Sequence, residues 1–199
     1  MGIMILNASP RAPRSNSLKL AEIFSENCKD KTEYYNISKT NHTEICKKME
    51  QFSNVLFVFP LYADSLPVTL LDFLKTLELN LPKKKPIFSV LINCGFIEYE
   101  QNDMAVKIFE FYCKQNGFPF GSVLKIGSGE AILSTPFKIF VKRKVKHLAK
   151  SIENEKYKIL NVTMPISKKM FVKASTKYWC DYGKKYGITK DEMDTMQIE

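Results

Sequence analysis

Arg11 and Arg14 are two of only three arginines in a chain with thirty basic residues, and both stand in one short loop. The loop reads Asn7-Ala8-Ser9-Pro10-Arg11-Ala12-Pro13-Arg14-Ser15-Asn16-Ser17. An apolar run, residues 3–6, precedes it, and an amphipathic stretch begins at Leu18. A helix N-terminus offers unpaired backbone N–H groups and the positive end of the helix dipole, and a guanidinium adds a planar fork that matches phosphate oxygens. The hydroxyls of Ser9, Ser15 and Ser17, the side-chain amide of Asn16 and the guanidinium of Arg11 are further donors for such an anion. Ser15 taken alone is equally a helix cap. The pattern G-x-x-x-x-G-K-[ST] is absent, so the cradle is not a Walker loop.

Two later loops carry ring-binding chemistry. Pro60-Leu61-Tyr62-Ala63-Asp64-Ser65-Leu66-Pro67 is stiffened by two prolines, and Tyr62 offers a flat face with a polar tip. In Asn93-Cys94-Gly95-Phe96, Gly95 permits close backbone approach and Phe96 has the shape to cover a ring. A phosphate site with two such loops fits a planar heteroaromatic ring at the end of a phosphorylated chain. Cys94 reads as a small buried hydrophobe rather than a redox thiol, and His147 as an exposed residue without chemistry. Gly127-Ser128-Gly129 has two glycines of a dinucleotide fingerprint, but Ile132 stands where the third belongs. Glu130 beside it borders either a substrate pocket or a partner subunit.

The elements that must position these loops alternate. Apolar or β-branched runs at 3–6, 33–37, 54–59, 87–92 and 121–126 read as strands. Helical patterns fill 17–28, 43–51 with Thr43 as cap, 67–78 with Pro67 in its first turn, 102–116 closed by Gly117, and 136–154. That alternation implies a parallel sheet covered on both faces, with ligands held beyond the carboxyl ends of the strands. A last helix, 174–186, stacks Tyr178, Trp179, Tyr182 and Tyr186 on one side, for packing on the sheet layer or on a partner subunit.

Ser9-Pro10-Arg11 with Ser15-Asn16-Ser17, then Pro60-Leu61-Tyr62 and Asn93-Cys94-Gly95-Phe96, resemble the NADPH-dependent FMN reductase family of flavodoxin-like oxidoreductases over about residues 1–155. The resemblance implies an α/β, doubly wound flavodoxin-like sandwich with a five-stranded parallel sheet in the order 2-1-3-4-5. Residues 1–159 would form the FMN-binding domain, and 160–199 a C-terminal helical extension packed on that domain or on a partner subunit. It also implies bound FMN, NAD(P)H as co-substrate, a small acceptor (a quinone, an azo or nitro compound, or free flavin) and a homodimer. By the resemblance Ser9, Arg11, Ser15, Asn16 and Ser17 hold the FMN phosphate, Pro60, Leu61, Tyr62 and Ala63 line the isoalloxazine, and Asn93, Cys94, Gly95 and Phe96 meet its other edge. Arg14 is left to face outward, toward a phosphate of incoming NADPH. Many relatives have glycine after the tyrosine, where this chain has Ala63-Asp64. An inward carboxylate would repel reduced flavin, so Asp64 is expected to face solvent or cap the next helix.

Composition bounds the alternatives. The chain's 199 residues, 45% hydrophobic and 26% charged, suit one domain with a modest appendage. Five scattered cysteines and two histidines argue against a disulfide framework and against a metal site. No apolar run is long enough to cross a bilayer, no leader pattern is evident, and Leu6 stands where a myristoylation signal needs Ser or Thr. The expected compartment is the cytoplasm, with no membrane partner. The net charge of +9 reads as a lysine-rich solvated surface that draws in anionic ligands, with no nucleic-acid partner, because no zinc-finger or RNP pattern accompanies the lysines. The rivals are a flavodoxin-like electron carrier, a binding or regulatory protein that kept the fold without flavin, and a lysine-driven nucleic-acid binder.

Overall fold

Three runs that are apolar but for Ser89 and their terminal asparagines make the centre of the sheet, because a strand covered on both faces has no polar side. They are β1 (Ile3–Asn7), β3 (Asn54–Pro60) and β4 (Ile87–Asn93), almost wholly buried. The computed structural model of the chain describes residues 2–12 and 14–195. β2 (Thr32–Asn36), β5 (Phe120–Ile126) and β6 (Ile159–Val162) complete a sheet of order β2-β1-β3-β4-β5-β6, parallel throughout. The expected order 2-1-3-4-5 is contained in it, but the expectation of five strands is corrected to six. β6 straddles the expected boundary, with Ile159 in the expected domain and residues 160–162 in the expected C-terminal extension. It has only four residues and sits at an edge with Ile159 exposed, so it lacks the long apolar run that marks the central strands.

Helices cover both faces. α2 (His42–Met49), α3 (Val68–Leu79) and α4 (Asp103–Asn116) pack on one side through Ile45, Met49, Leu70, Phe73, Leu77 and Phe109. At the middle of this layer the Phe57 ring meets Phe88 and Phe109 edge-on, each at 4.8 Å. Such pairs add about 0.5–1.5 kcal/mol beyond the area they bury. α1 (Asn16–Asn27) and α5 (Lys138–Glu153) lie side by side on the opposite face, burying Leu20, Phe24, Val141, Val145, Leu148 and Ile152. The step from β5 to β6 runs in the same direction as those from β3 and β4, yet its helix crosses the other face. It is therefore opposite in hand to its predecessors, against a rule obeyed in about 98% of such crossovers. Covering the face beside α1 is what places α5 there.

Some helix ends differ from expectation. α2 begins one residue earlier, with Asn41 rather than Thr43 at the cap position, and Pro67 precedes α3 instead of opening it. Gly117 does close α4 in the left-handed conformation, at φ 66°. The chain divides into two compact units, Met1–Met164 and Pro165–Glu199. The second contains α6 (Lys168–Lys184), started by the Ser167 hydroxyl accepting from the Met170 amide, and α7 (Lys190–Thr195). On α6, Tyr178, Trp179, Tyr182 and the following Tyr186 are exposed.

Candidate functional site

The carboxyl ends of the central strands stand level: Asn7 beside Val58, Pro60 beside Asn93, and Asn93 beside Ile126. The chain leaves β1 toward β2 on one side and continues from β3 on the other, so this edge holds the switch in strand order. Ligands of doubly wound sheets bind at such a point. A cavity of about 700 Å3 opens here, within the size range of small-molecule sites.

Its first wall is the loop between β1 and α1. Buried Asn7 shapes that loop: its Oδ1 accepts from the Ser9 amide at 2.9 Å, and its Nδ2 donates to Tyr34 Oη at 2.8 Å. Ser9 Oγ in turn accepts from the Arg11 amide at 3.3 Å. Ser15 Oγ accepts from the Leu18 amide at 3.1 Å, which caps α1, and from Asn7 Nδ2 at 3.5 Å. A hydroxyl has two acceptor positions and one donor, so Ser15 keeps its O–H for another group. The amides of Asn16 and Ser17 open α1 and have no acceptor within the helix. Hydroxyl and first-turn amides thus offer hydrogen-bond donors at this wall, of which Arg11 and Arg14 are also part. Pro13 lies outside the described residues.

The second wall follows β3. The Leu61 amide donates to Asn93 O at 2.7 Å, extending the sheet ladder by one residue. Tyr62 and Ser65 then exchange backbone hydrogen bonds around Ala63 and Asp64, whose φ values of 46° and 54° define a tight turn. This turn presents Tyr62 at the cavity and leaves Asp64 in solvent, one of the two placements expected for that carboxylate; no side-chain cap is seen on α3.

Asn93, Cys94 and Gly95, after β4, form the floor. Asn93 Nδ2 reaches Ser17 Oγ at 3.4 Å and Phe59 O at 3.3 Å, tying floor to both walls. Cys94 is buried, its Sγ near the carbonyls of Phe96 and Glu98 and receiving Asn102 Nδ2 at 3.4 Å. Burial pushes its thiol pKa up, which opposes thiolate chemistry.

The loop after β5 closes the ring of contacts, and here the glycines serve close packing. A Cβ on Gly127 would lie 2.6 Å from Ile97 O, and one on Gly129 2.9 Å from Asn93 Cβ. Gly129 O accepts from Asn16 Nδ2 at 3.0 Å, joining this loop to the start of α1. Glu130 reaches the cavity as a result.

Eleven of the thirteen residues singled out from sequence line this one cavity: Ser9, Arg11, Ser15, Asn16, Ser17, Pro60, Leu61, Tyr62, Asn93, Cys94 and Gly95. Ala63 and Phe96 stand outside the lining, the first in the turn that orients Tyr62 and the second exposed beside Gly95. Leu18, Lys19 and Glu22 of α1 also line it without having been selected. They lie three, four and seven residues after Ser15, about one to two helical turns, and only that spacing hints at them. Asn7 was missed too, although a polar residue ending an apolar strand is a visible signal. Among the described residues no group of three or more His, Cys, Asp or Glu is placed to hold a metal ion.

No family model matches the chain, and no curated protein matches it by sequence. Solved structures do match by shape. The chain is similar to an NAD(P)H:quinone oxidoreductase from Methanothermobacter marburgensis, with TM-score 0.62 and 12% identity over 77% of this chain and 96% of that one. It is similar to an FMN-dependent NADH-azoreductase from Bacillus anthracis solved with FMN, with TM-score 0.59 and 15% identity over 76% and 99% of the two chains. A flavodoxin from Streptococcus pneumonia matches with TM-score 0.58 and 14% identity over 77% and 99%. At these identities the likeness is one of architecture, and it establishes that this chain has the flavodoxin-like fold.

Proposed function

We propose that the chain is an FMN-dependent oxidoreductase that takes hydride from NAD(P)H and passes it to a small acceptor such as a quinone, an azo or nitro compound, or free flavin. The observation that carries the reading is the meeting of an anion cradle and an aromatic-faced loop across one cavity at the strand switch. The donor set fits the group. Arg11, the Ser15 hydroxyl and the Asn16 and Ser17 amides would hold the phosphate, while Pro60, Leu61 and Tyr62 would face the ring. FMN, when bound, supplies the hydride and electron chemistry, so the protein has no need of a triad or metal.

The chain's own groups bind, orient and shield. Asn7 fixes the loop that carries Ser9, and Asn93 fixes the floor against Ser17. Among the described residues the Gly95 amide has no hydrogen-bond acceptor, which leaves it to support negative charge on a ring edge. Arg14 and Lys19 lie on the same wall as the cradle and favour an anionic co-substrate. Reductases of similar fold from Methanothermobacter marburgensis and Bacillus anthracis support the reaction class. We extend the reading to a cytoplasmic homodimer in which the aromatic side of α6 meets a second copy, its four exposed rings being the support.

Comparing FMN with riboflavin tests the assignment. The chain should bind FMN at least about tenfold more tightly, because charge-assisted hydrogen bonds to phosphate are each worth about 1.5–3 kcal/mol. Equal affinity for the two would remove the phosphate cradle from the account.

A further inference from the structure

A second recess, of about 290 Å3, opens at the opposite, amino edge of the sheet, where α5 ends and β6 begins. α5 has sixteen residues, so the two edges are about 24 Å apart along it. His147 and Lys150 come from the last two turns of α5, Lys156 from the following turn, and Lys158 from the residue before β6. Among the described residues no carboxylate lines this recess. The Glu153 carboxylate accepts from the backbone amides of Lys29 and Asp30, and Glu155 stands near Tyr157.

We propose that this recess is a second anion site, taking a phosphate or diphosphate group between Lys150, Lys156, Lys158 and His147. Three lysines, all exposed to solvent, come together with His147 from three successive segments, and a bound dianion would offset what their screened repulsion costs. Two simpler roles account for parts of the arrangement. A lysine in the last turn complements the helix dipole, which covers Lys150, and lysines beside an edge strand discourage sheet pairing, which covers Lys158. Neither requires the four groups to converge on one concave surface. Asn154 Nδ2 donates to Lys150 O at 2.7 Å, so one terminal carbonyl that would oppose an anion is already occupied. Burial first, and then the charges of Arg143, Lys144, Lys150 and Lys158, hold the His147 pKa below its ordinary value. The volume suits a phosphate or diphosphate and is well under half that of the cavity at the carboxyl edge.

The chain has only two histidines, so proton NMR of the full chain follows His147 with His42 as an internal reference. At constant ionic strength, exchanging chloride for inorganic phosphate or pyrophosphate should raise the His147 pKa by about 0.5 unit or more, with His42 unmoved. The double variant K150Q/K158Q should lose that rise while keeping the thermal transition of the native chain. The proposal is overturned if phosphate and pyrophosphate act no differently from chloride, or if the rise persists in the double variant. It is equally overturned if only single-stranded RNA moves His147, with a steep salt dependence, since the surface would then be a nucleic-acid contact.

Discussion

Arg11 Nη1 lies 4.0 Å from Glu130 Oε1, an ion pair that spans the cavity from the loop after β1 to the loop after β5. Both side chains are largely exposed, 74% and 61%, so the pair contributes no more than about 1 kcal/mol. A phosphate held as proposed would therefore take the guanidinium from Glu130 at little cost. Arg11→Ala should weaken FMN binding by about 10- to 100-fold and leave riboflavin binding unchanged. Glu130→Gln should tighten FMN binding by no more than about fivefold. Fluorescence titration checks both, with Arg143→Ala as a control on α5. Equal losses for Arg11→Ala and Arg143→Ala would reduce the arginine effect to general charge.

Ser15 has two duties that substitution separates. Its oxygen caps α1, and its O–H is the group left for the anion. Ser15→Ala should cost about 1 kcal/mol of stability and also weaken FMN binding. Ser15→Asp keeps a good cap but puts a carboxylate in the cradle, so stability should hold while FMN binding falls further than in the alanine variant. Denaturant unfolding and flavin titration on the same samples read the two effects apart.

Gly129 holds the loop that carries Glu130 against the floor. A methyl group there would meet Asn93 Cβ and Oδ1 at 2.9 Å and Cys94 O at 3.1 Å. Gly129→Ala should destabilise the chain by about 1–3 kcal/mol and weaken ligand binding, as the loop must move away from Asn93. Gly187 has nothing within 4 Å of an added Cβ, though its φ of 75° disfavours alanine. Gly187→Ala should lose some stability through backbone strain while keeping flavin affinity, which thermal melts with and without FMN will show.

Cys94 bears on pH dependence. Burial raises its thiol pKa, so the thiol stays protonated at neutral pH and ionises only above its ordinary range. Alkylation of Cys94 by iodoacetamide should accordingly be slow at pH 7 and rise only in alkaline solution. Cys94→Ser should retain turnover within a fewfold. A Cys94 that alkylates rapidly at neutral pH, with activity lost in step, would make the thiol part of the chemistry.

The sequence revealed most where physics acts locally. β1 and β3 are apolar runs, β4 is one broken only by Ser89, and Gly117 closes α4 in the conformation that glycine permits. The three loops of the candidate site were visible because arginine, serine, proline and glycine are sparse markers at strand ends. β6 escaped because four residues at an exposed edge carry no period. Lys19 and Glu22 escaped because lining a cavity depends on how α1 lies over the sheet, which tertiary packing decides. The Gly127-Ser128-Gly129 sequence suggested a nucleotide fingerprint, whereas its glycines answer to Ile97 and Asn93, residues thirty or more positions away. The opposite hand of the β5–β6 crossover is likewise a matter of covering the face beside α1 rather than of any local signal.

The central claim is that the cavity between Ser15 and Tyr62 holds a flavin that NAD(P)H reduces. Purified chain loaded with FMN should be mixed anaerobically with NADPH, and separately with NADH, while the visible flavin absorbance is recorded. The flavin should bleach with at least one of them, and its colour should return when a quinone is added. A chain that takes up no FMN, or one whose flavin neither nucleotide bleaches, would contradict it.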